Sequence, residues 1–163
     1  MPIFYLDTSA IVKWYHTEKG SDAVVELLGN PSPGDRFYTS FLSVLELSSG
    51  VLRLAKGGQI RETTANQILI RFRQDIREVY RIWPLDNDLV SSAILVVEQH
   101  RIRSADALHL ATAMAIRAVA GDTEVVMVAS DGELLDATSA SGLATLDLRA
   151  DNALERLAQI RGS

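Results

Sequence analysis

Asp7 directly follows the apolar run Ile3-Phe4-Tyr5-Leu6, and Asp131 directly follows a second such run over residues 125–130. Glu46 lies early in a helical pattern entered from residues 37–40, and Asp106 lies in the first turn of another, two residues after Ser104. Gathered in one crevice, these four carboxylates would raise one another's pKa values unless a cation neutralised them. All-oxygen ligation suits a hard ion, Mg²⁺ or Mn²⁺, which retains waters and accepts phosphate oxygens. Zinc fits poorly: the chain has no cysteine and no H-E-x-x-H, and His16, His100 and His109 form no ligand set.

Singly, each acid has a plainer explanation. Asp7 suits the N-cap of the helix that follows it, and Asp106 is favoured by the helix macrodipole. A Ser130-x-x-Glu133 capping box would start the next helix and leave Asp131 free. Glu46 shares a helix face with Ser43, Ser49, Gly50 and Arg53, as an exposed polar stripe would. His109 follows Asp106 by three residues and could reach the same site, but is expected to pack within its Ala/Leu-rich helix instead of acting as a ligand. The combination carries more weight than any member, because ligands of open α/β sheets gather beyond the carboxyl ends of the strands.

The elements that must position these acids alternate along the chain. Apolar runs over residues 3–6, 37–40, 79–85 and 125–130, with a fifth over 144–148, have strand length and β-branched or aromatic content. Between them, helices are predicted over 8–17, 21–28, 41–56, 60–78, 87–100, 105–120 (with Ser104 as N-cap), 132–140 and 151–161. Strands apolar on both faces and separated by helices imply a parallel sheet covered on both sides, hence a single α/β domain.

Composition bounds the partners. The 163 residues, 47% hydrophobic and 23% charged, describe an ordinary globular chain long enough for its own core. No run suits a signal peptide or a bilayer span, and the lack of cysteine fits a reducing compartment, so a cytoplasmic location is expected. A net charge of −5 argues at first against nucleic acid. Residues 53–81, however, hold seven basic side chains against three acids, a net +4, so the remainder carries −9. Arg73, Arg77 and Arg81, spaced by four, form either a solvated helix edge paired to Asp75 and Glu78 or a polyanion contact.

Four segments together resemble one family. Phe4-Tyr5-Leu6-Asp7-Thr8-Ser9-Ala10-Ile11-Val12-Lys13 is similar to the opening strand and helix of PIN-domain nucleases, most closely the VapC-type toxins. Ser43-Val44-Leu45-Glu46-Leu47 resembles the second acidic position of that family, Ser104-Ala105-Asp106-Ala107-Leu108-His109-Leu110-Ala111-Thr112-Ala113 the third, and Ala129-Ser130-Asp131 the fourth. Order and spacing agree from residue 3 to about 148. The resemblance implies an α/β/α sandwich with a five-stranded parallel sheet in the order 3-2-1-4-5. It implies a PIN-like nuclease domain over residues 1–148, with the helix in 149–163 packed on the same domain. It also implies a Mg²⁺- or Mn²⁺-dependent endoribonuclease in which Asp7, Glu46, Asp106 and Asp131 bind metal and act in catalysis, with the Ser9 hydroxyl orienting a carboxylate. By their place in the motifs, Lys13, Arg101 and Arg103 are the expected phosphate contacts. Expected partners are RNA, a cognate antitoxin and a second copy of the chain, with no membrane.

Rival patterns fit less well. A metal-dependent adhesion site has D-x-S-x-S, and Asp7-Thr8-Ser9-Ala10-Ile11 lacks the second serine. A phosphatase with a covalent aspartyl intermediate has D-x-D, and position 9 is Ser. A housekeeping RNA-processing nuclease and a non-catalytic member of the same fold are the remaining alternatives. The apolar stripe Ile11-Trp14-Tyr15 and the helical residues Leu154 and Leu157 serve either core or interface, with core the default.

Overall fold

The computed structural model describes residues 1–162. Five parallel strands form one sheet in the order β3-β2-β1-β4-β5: β1 Ile3–Leu6, β2 Arg36–Ser40, β3 Arg81–Trp83, β4 Val125–Ala129 and β5 Ala144–Asp147. Eight helices connect and follow them: α1 Thr8–Tyr15, α2 Ser21–Gly29, α3 Phe41–Lys56, α4 Glu62–Glu78, α5 Asn87–His100, α6 Ser104–Ala120, α7 Gly132–Ala140 and α8 Ala153–Arg161.

The central strand β1 and its neighbour β4 are buried along their whole length, as the unbroken apolar runs predict. Alternation then sorts their side chains into two layers. Phe4, Leu6, Val126 and Val128 meet Ile11, Leu27, Leu47, Phe72 and Leu157, from α1, α2, α3, α4 and α8. Ile3, Tyr5, Met127 and Ala129 meet Val96, Leu110, Ile116 and Leu134, from α5, α6 and α7. The α/β/α sandwich and its strand order agree with the expectation. Register places Tyr5 beside Met127 and Leu6 beside Val128, so β1 and β4 end together. The Thr39 hydroxyl, donating to the Leu6 carbonyl at 2.7 Å, ties β2 to the same edge.

Several boundaries differ from expectation for identifiable reasons. The strand expected over 79–85 is only Arg81–Trp83, because the Val79 N–H still bonds the Asp75 carbonyl at 2.8 Å and ends α4. As an edge strand, β3 leaves Arg81 exposed, so the inference of two apolar faces fails there. Arg103, not Ser104, is the N-cap of α6, which puts Asp106 at the third helical position. The capping box at Ser130 does not form; the Asp131 carboxylate caps α7 by accepting from the Leu134 N–H at 3.1 Å.

The ambiguous apolar stripes are divided. Ile11 is core, and Trp14 and Tyr15 pack against it. Leu157 is core as well, whereas Leu154 is exposed. Asp75 does not neutralise the arginines spaced by four. It turns inward and accepts from Trp14 Nε1 at 3.1 Å and from the Tyr15 hydroxyl at 2.6 Å, while Arg71 lies over the Trp14 ring. Among the described residues no ion pair joins Arg73, Arg77 or Arg81 to Asp75 or Glu78. No helix there is long and apolar enough to cross a membrane.

Candidate functional site

The chain turns out of β1 at Asp7 and enters α1 at once, so a short, buried carboxylate sits at the sheet's carboxyl edge. Oδ1 of Asp7 accepts the Ala10 N–H at 2.8 Å, and the Ser9 hydroxyl lies 2.7 and 2.9 Å from its two oxygens. The Ser9 oxygen in turn accepts the Ser130 N–H at 2.9 Å, linking the exit of β4 to the acid at the exit of β1. Capping and site geometry thus use the same Asp7 carboxylate. With only 4% of its surface exposed, Asp7 has its pKa pushed up, first by burial and further by the Asp106 charge; His109, Ser9 and the Ala10 N–H oppose the rise.

Glu46 enters from the second turn of α3. Its Oε1 accepts from the Thr8 hydroxyl at 2.8 Å and lies 3.1 Å from His109 Nε2. The hydrogen bond from His109 is the main reason the Glu46 carboxyl titrates below its ordinary value; Thr8 adds to it and partial burial opposes it. His109 is 2% exposed, and its Nδ1 lies 2.8 Å from the Tyr5 hydroxyl. Both readings of His109 therefore hold in part, because its ring is core on one side and a partner of Glu46 on the other. Its spacing of three from Asp106 was the available signal.

Asp106 stands one turn before His109 on α6, half-buried, with no hydrogen bond to its carboxylate among the described residues. Its pKa is raised by burial first and then by the charge of Asp131, with Glu46 adding; His109 and Arg103 oppose. Asp106 thus stands within electrostatic range of Asp7, Glu46 and Asp131, and through it the four acids form one cluster. Among the described residues, no three His, Asp or Glu side chains close into a ready-made metal cage. That geometry still fits a hydrated hard ion, which is commonly held by one or two carboxylates together with waters and substrate phosphates. The carboxylates pushed upward by burial and mutual repulsion mark a site deficient in positive charge.

The expected cationic contacts separate. Arg101 and Arg103 are exposed on the α5–α6 turn, where Arg101 is a non-glycine residue at positive φ (57°). Lys13 is 7% exposed and paired with Glu18 at 2.7 Å, so its charge is already engaged. Two residues escaped sequence reasoning. Asp147 ends β5 opposite Ala129 and holds Arg149 through Nε at 3.0 Å and Nη2 at 2.8 Å. The Arg149 guanidinium lies so close to Gly132 that a Cβ there would stand 2.8 Å from its Nη1. An acid at the exit of a strand, as at Asp7, was the signal for Asp147. Beside the acids, an open groove of about 870 Å³ runs between α1 and α3, lined by Thr8, Ser9, Val12, Glu46, Arg53 and Leu54.

The PIN domain family profile matches residues 4–139 of this sequence. The chain belongs to the PIN-domain family. Within it, the VapC branch is the match: the chain is 31% identical over 144 residues to ribonuclease VapC35 of Mycobacterium tuberculosis, covering 88% of this chain and 96% of that protein. Solved structures of similar fold include two examples. FitAcB from Neisseria gonorrhoeae superposes with a TM-score of 0.66 at 22% identity, over 89% of this chain and 97% of its own. Mycobacterium tuberculosis VapC20, described as a sarcin–ricin loop cleaving toxin, gives 0.60 at 19% identity, over 86% of this chain and 96% of its own.

Proposed function

We propose that this PIN domain is a divalent-metal-dependent endoribonuclease, the toxin of a toxin–antitoxin pair. The observation that carries the reading is the convergence at one sheet edge of acids from four separate units, two of them, Asp7 and Asp106, driven toward protonation by burial first and then by neighbouring carboxylates. Kinship with a ribonuclease over nearly the whole chain supplies the reaction class. Asp7, Glu46, Asp106 and Asp131 are the residues that would hold Mg²⁺ or Mn²⁺. When bound, such an ion neutralises charge on the scissile phosphate and acidifies water.

The chain's own residues do the rest. Ser9 keeps the Asp7 oxygens turned to the crevice while fastening the exit of β4. A carboxylate oxygen beside the attacking water accepts its proton. Arg101 and Arg103, exposed at the entry to α6, are assigned to the RNA backbone, together with Arg149, whose guanidinium is held in place by a two-point contact with Asp147. Lys13 contributes a phosphate contact only if its pair with Glu18 opens. An antitoxin segment is assigned to the groove between α1 and α3, and a second copy of the chain to an apolar surface such as Ile94 and Leu95 of α5.

Cleavage-site mapping on total RNA, with and without EDTA, tests the proposal with Asp7→Ala as control. Discrete cuts that vanish in EDTA and in the folded variant are expected. Wild-type cutting by Asp7→Ala in the presence of Mg²⁺ would falsify the assignment. In sedimentation of the isolated chain, a monomer at micromolar concentration removes the homodimer.

A further inference from the structure

Glu46 is the one acid of the site that comes from a helix interior rather than from an element's start, so its long side chain is not oriented by capping. Something else must aim it. Its Oε1 takes two partners, the Thr8 hydroxyl at 2.8 Å and His109 Nε2 at 3.1 Å, and no hydrogen bond to Oε2 is formed among the described residues. An ionised carboxylate only accepts hydrogen bonds, so the His109 nitrogen facing it must carry a proton. Thr8 donates its own proton to Glu46, which leaves its oxygen, 3.5 Å from Nε2, as a secondary acceptor for the same N–H.

The other ring nitrogen explains how that tautomer is held. Nδ1 lies 2.8 Å from the hydroxyl of Tyr5, a side chain with no solvent exposure, and an O–H donated to Nδ1 leaves the ring's proton on Nε2. Tyr5 precedes Asp7 by two residues on β1, and His109 follows Asp106 by one turn of α6. The same two elements that deliver Asp7 and Asp106 therefore also set the partner of Glu46.

We infer that Tyr5, His109 and Thr8 form a positioning unit that occupies Oε1 of Glu46 and presents Oε2 to the cation and substrate. The inference rests on the proposed nuclease reading and assigns no proton transfer to His109. Partners of this kind, behind a metal-binding carboxylate, typically change metal affinity by about 10–100-fold.

The test measures binding of Mn²⁺ alone to the folded protein by calorimetry, with RNA cleavage as a second readout. His109→Ala should weaken Mn²⁺ affinity by about 10–100-fold. His109→Gln, which returns a side-chain N–H near the position of Nε2, should recover most of the loss. Thr8→Val should lose affinity where Thr8→Ser does not, which gives a second route should His109→Ala fail to fold. In a Glu46→Ala background, His109→Ala should have no further effect, because the side chain it aims is gone. An equal loss in both backgrounds, or unchanged Mn²⁺ affinity in His109→Ala and Thr8→Val, overturns the inference. Asp106→Asn separates the two levels. If it abolishes Mn²⁺ binding and cleavage while the His109 and Thr8 variants behave as wild type, only the positioning unit fails. If it leaves both intact, the nuclease reading fails.

Discussion

The two walls of the crevice are built on different principles. On the wall formed by β1 and α3, Asp7 and Glu46 are gripped: Ser9, the Ala10 N–H, Thr8 and His109 all point at their oxygens. On the wall formed by α6 and α7, Asp106 accepts no hydrogen bond among the described residues, and Asp131 accepts one, from the Leu134 N–H. The first wall is ordered by the protein itself, at the expense of burying charge. The second is left under-satisfied. A site of this kind fixes geometry on one side and keeps electrostatic demand on the other, which is how preorganised carboxylates attract a cation.

The largest effects that separate the walls lie in alanine substitutions. Asp7→Ala and Asp106→Ala should each lower cleavage by at least on the order of 10²–10³-fold, the scale of a lost electrostatic stabiliser. Their stabilities should diverge. Asp7→Ala removes an N-cap and should lose about 1 kcal/mol, whereas Asp106→Ala removes only a repelled carboxylate and should melt at or above wild type without cation. Equal thermal stability of the two purified variants breaks the comparison.

Titration sharpens it next. Asp7 and Asp106 have raised pKa values, so the folded protein retains protons that the unfolded chain releases. Their contribution to stability therefore falls as pH rises from the ordinary carboxylate value through the raised one. Glu46 runs the other way: its depressed pKa adds stability above the ordinary value, lost as pH falls through the folded one. A divalent cation must displace the retained protons. Mn²⁺ at about 100 times its pH 7.5 Kd should raise the melting temperature by about 5–10 °C near pH 7.5, and the same concentration should raise it by clearly less near pH 5. A shift that does not depend on pH places binding away from these acids.

The smallest effect concerns the cationic edge of the second wall. Arg149→Ala should weaken RNA binding modestly and reduce the salt slope by about one counterion. Gly132→Ala, by pushing the guanidinium away, should produce part of the same change. Unchanged slopes in both leave Arg149 as a surface partner of Asp147.

Much of this site was legible before folding, and what was not has a common cause. Asp7, Glu46, Asp106 and Asp131 were marked by their places at the openings of strand–helix units. Their capping roles were only partly visible: Asp7 caps as expected, but the caps at Ser104 and Ser130 fall to Arg103 and Asp131. Local motifs with similar energies compete at such positions, and the approach of the preceding strand decides between them. His109 illustrates a second gap. Its spacing from Asp106 places it near the site, but nothing local identifies Glu46 as its partner, since that residue lies 63 positions away. Asp75 is similar: spacing offered it as one possible partner of surface arginines, while its Trp14 and Tyr15 donors lie 61 and 60 residues distant.

The sequence by itself determined the alternation of strands and helices and the two layers, since β1 alternates Ile3 and Tyr5 with Phe4 and Leu6. It also determined that acids would stand at strand exits, as Asp7 and Asp131 do after β1 and β4. Only the tertiary structure decided which carboxylate oxygens are already occupied, that Lys13 is engaged by Glu18, and that Tyr5 reaches His109 and His109 reaches Glu46. Periodicity is a property of neighbouring residues along the chain. Hydrogen bonds between α1, α3 and α6 depend instead on strand order, register and helix approach, which exist only once the whole sheet has closed around its two cores.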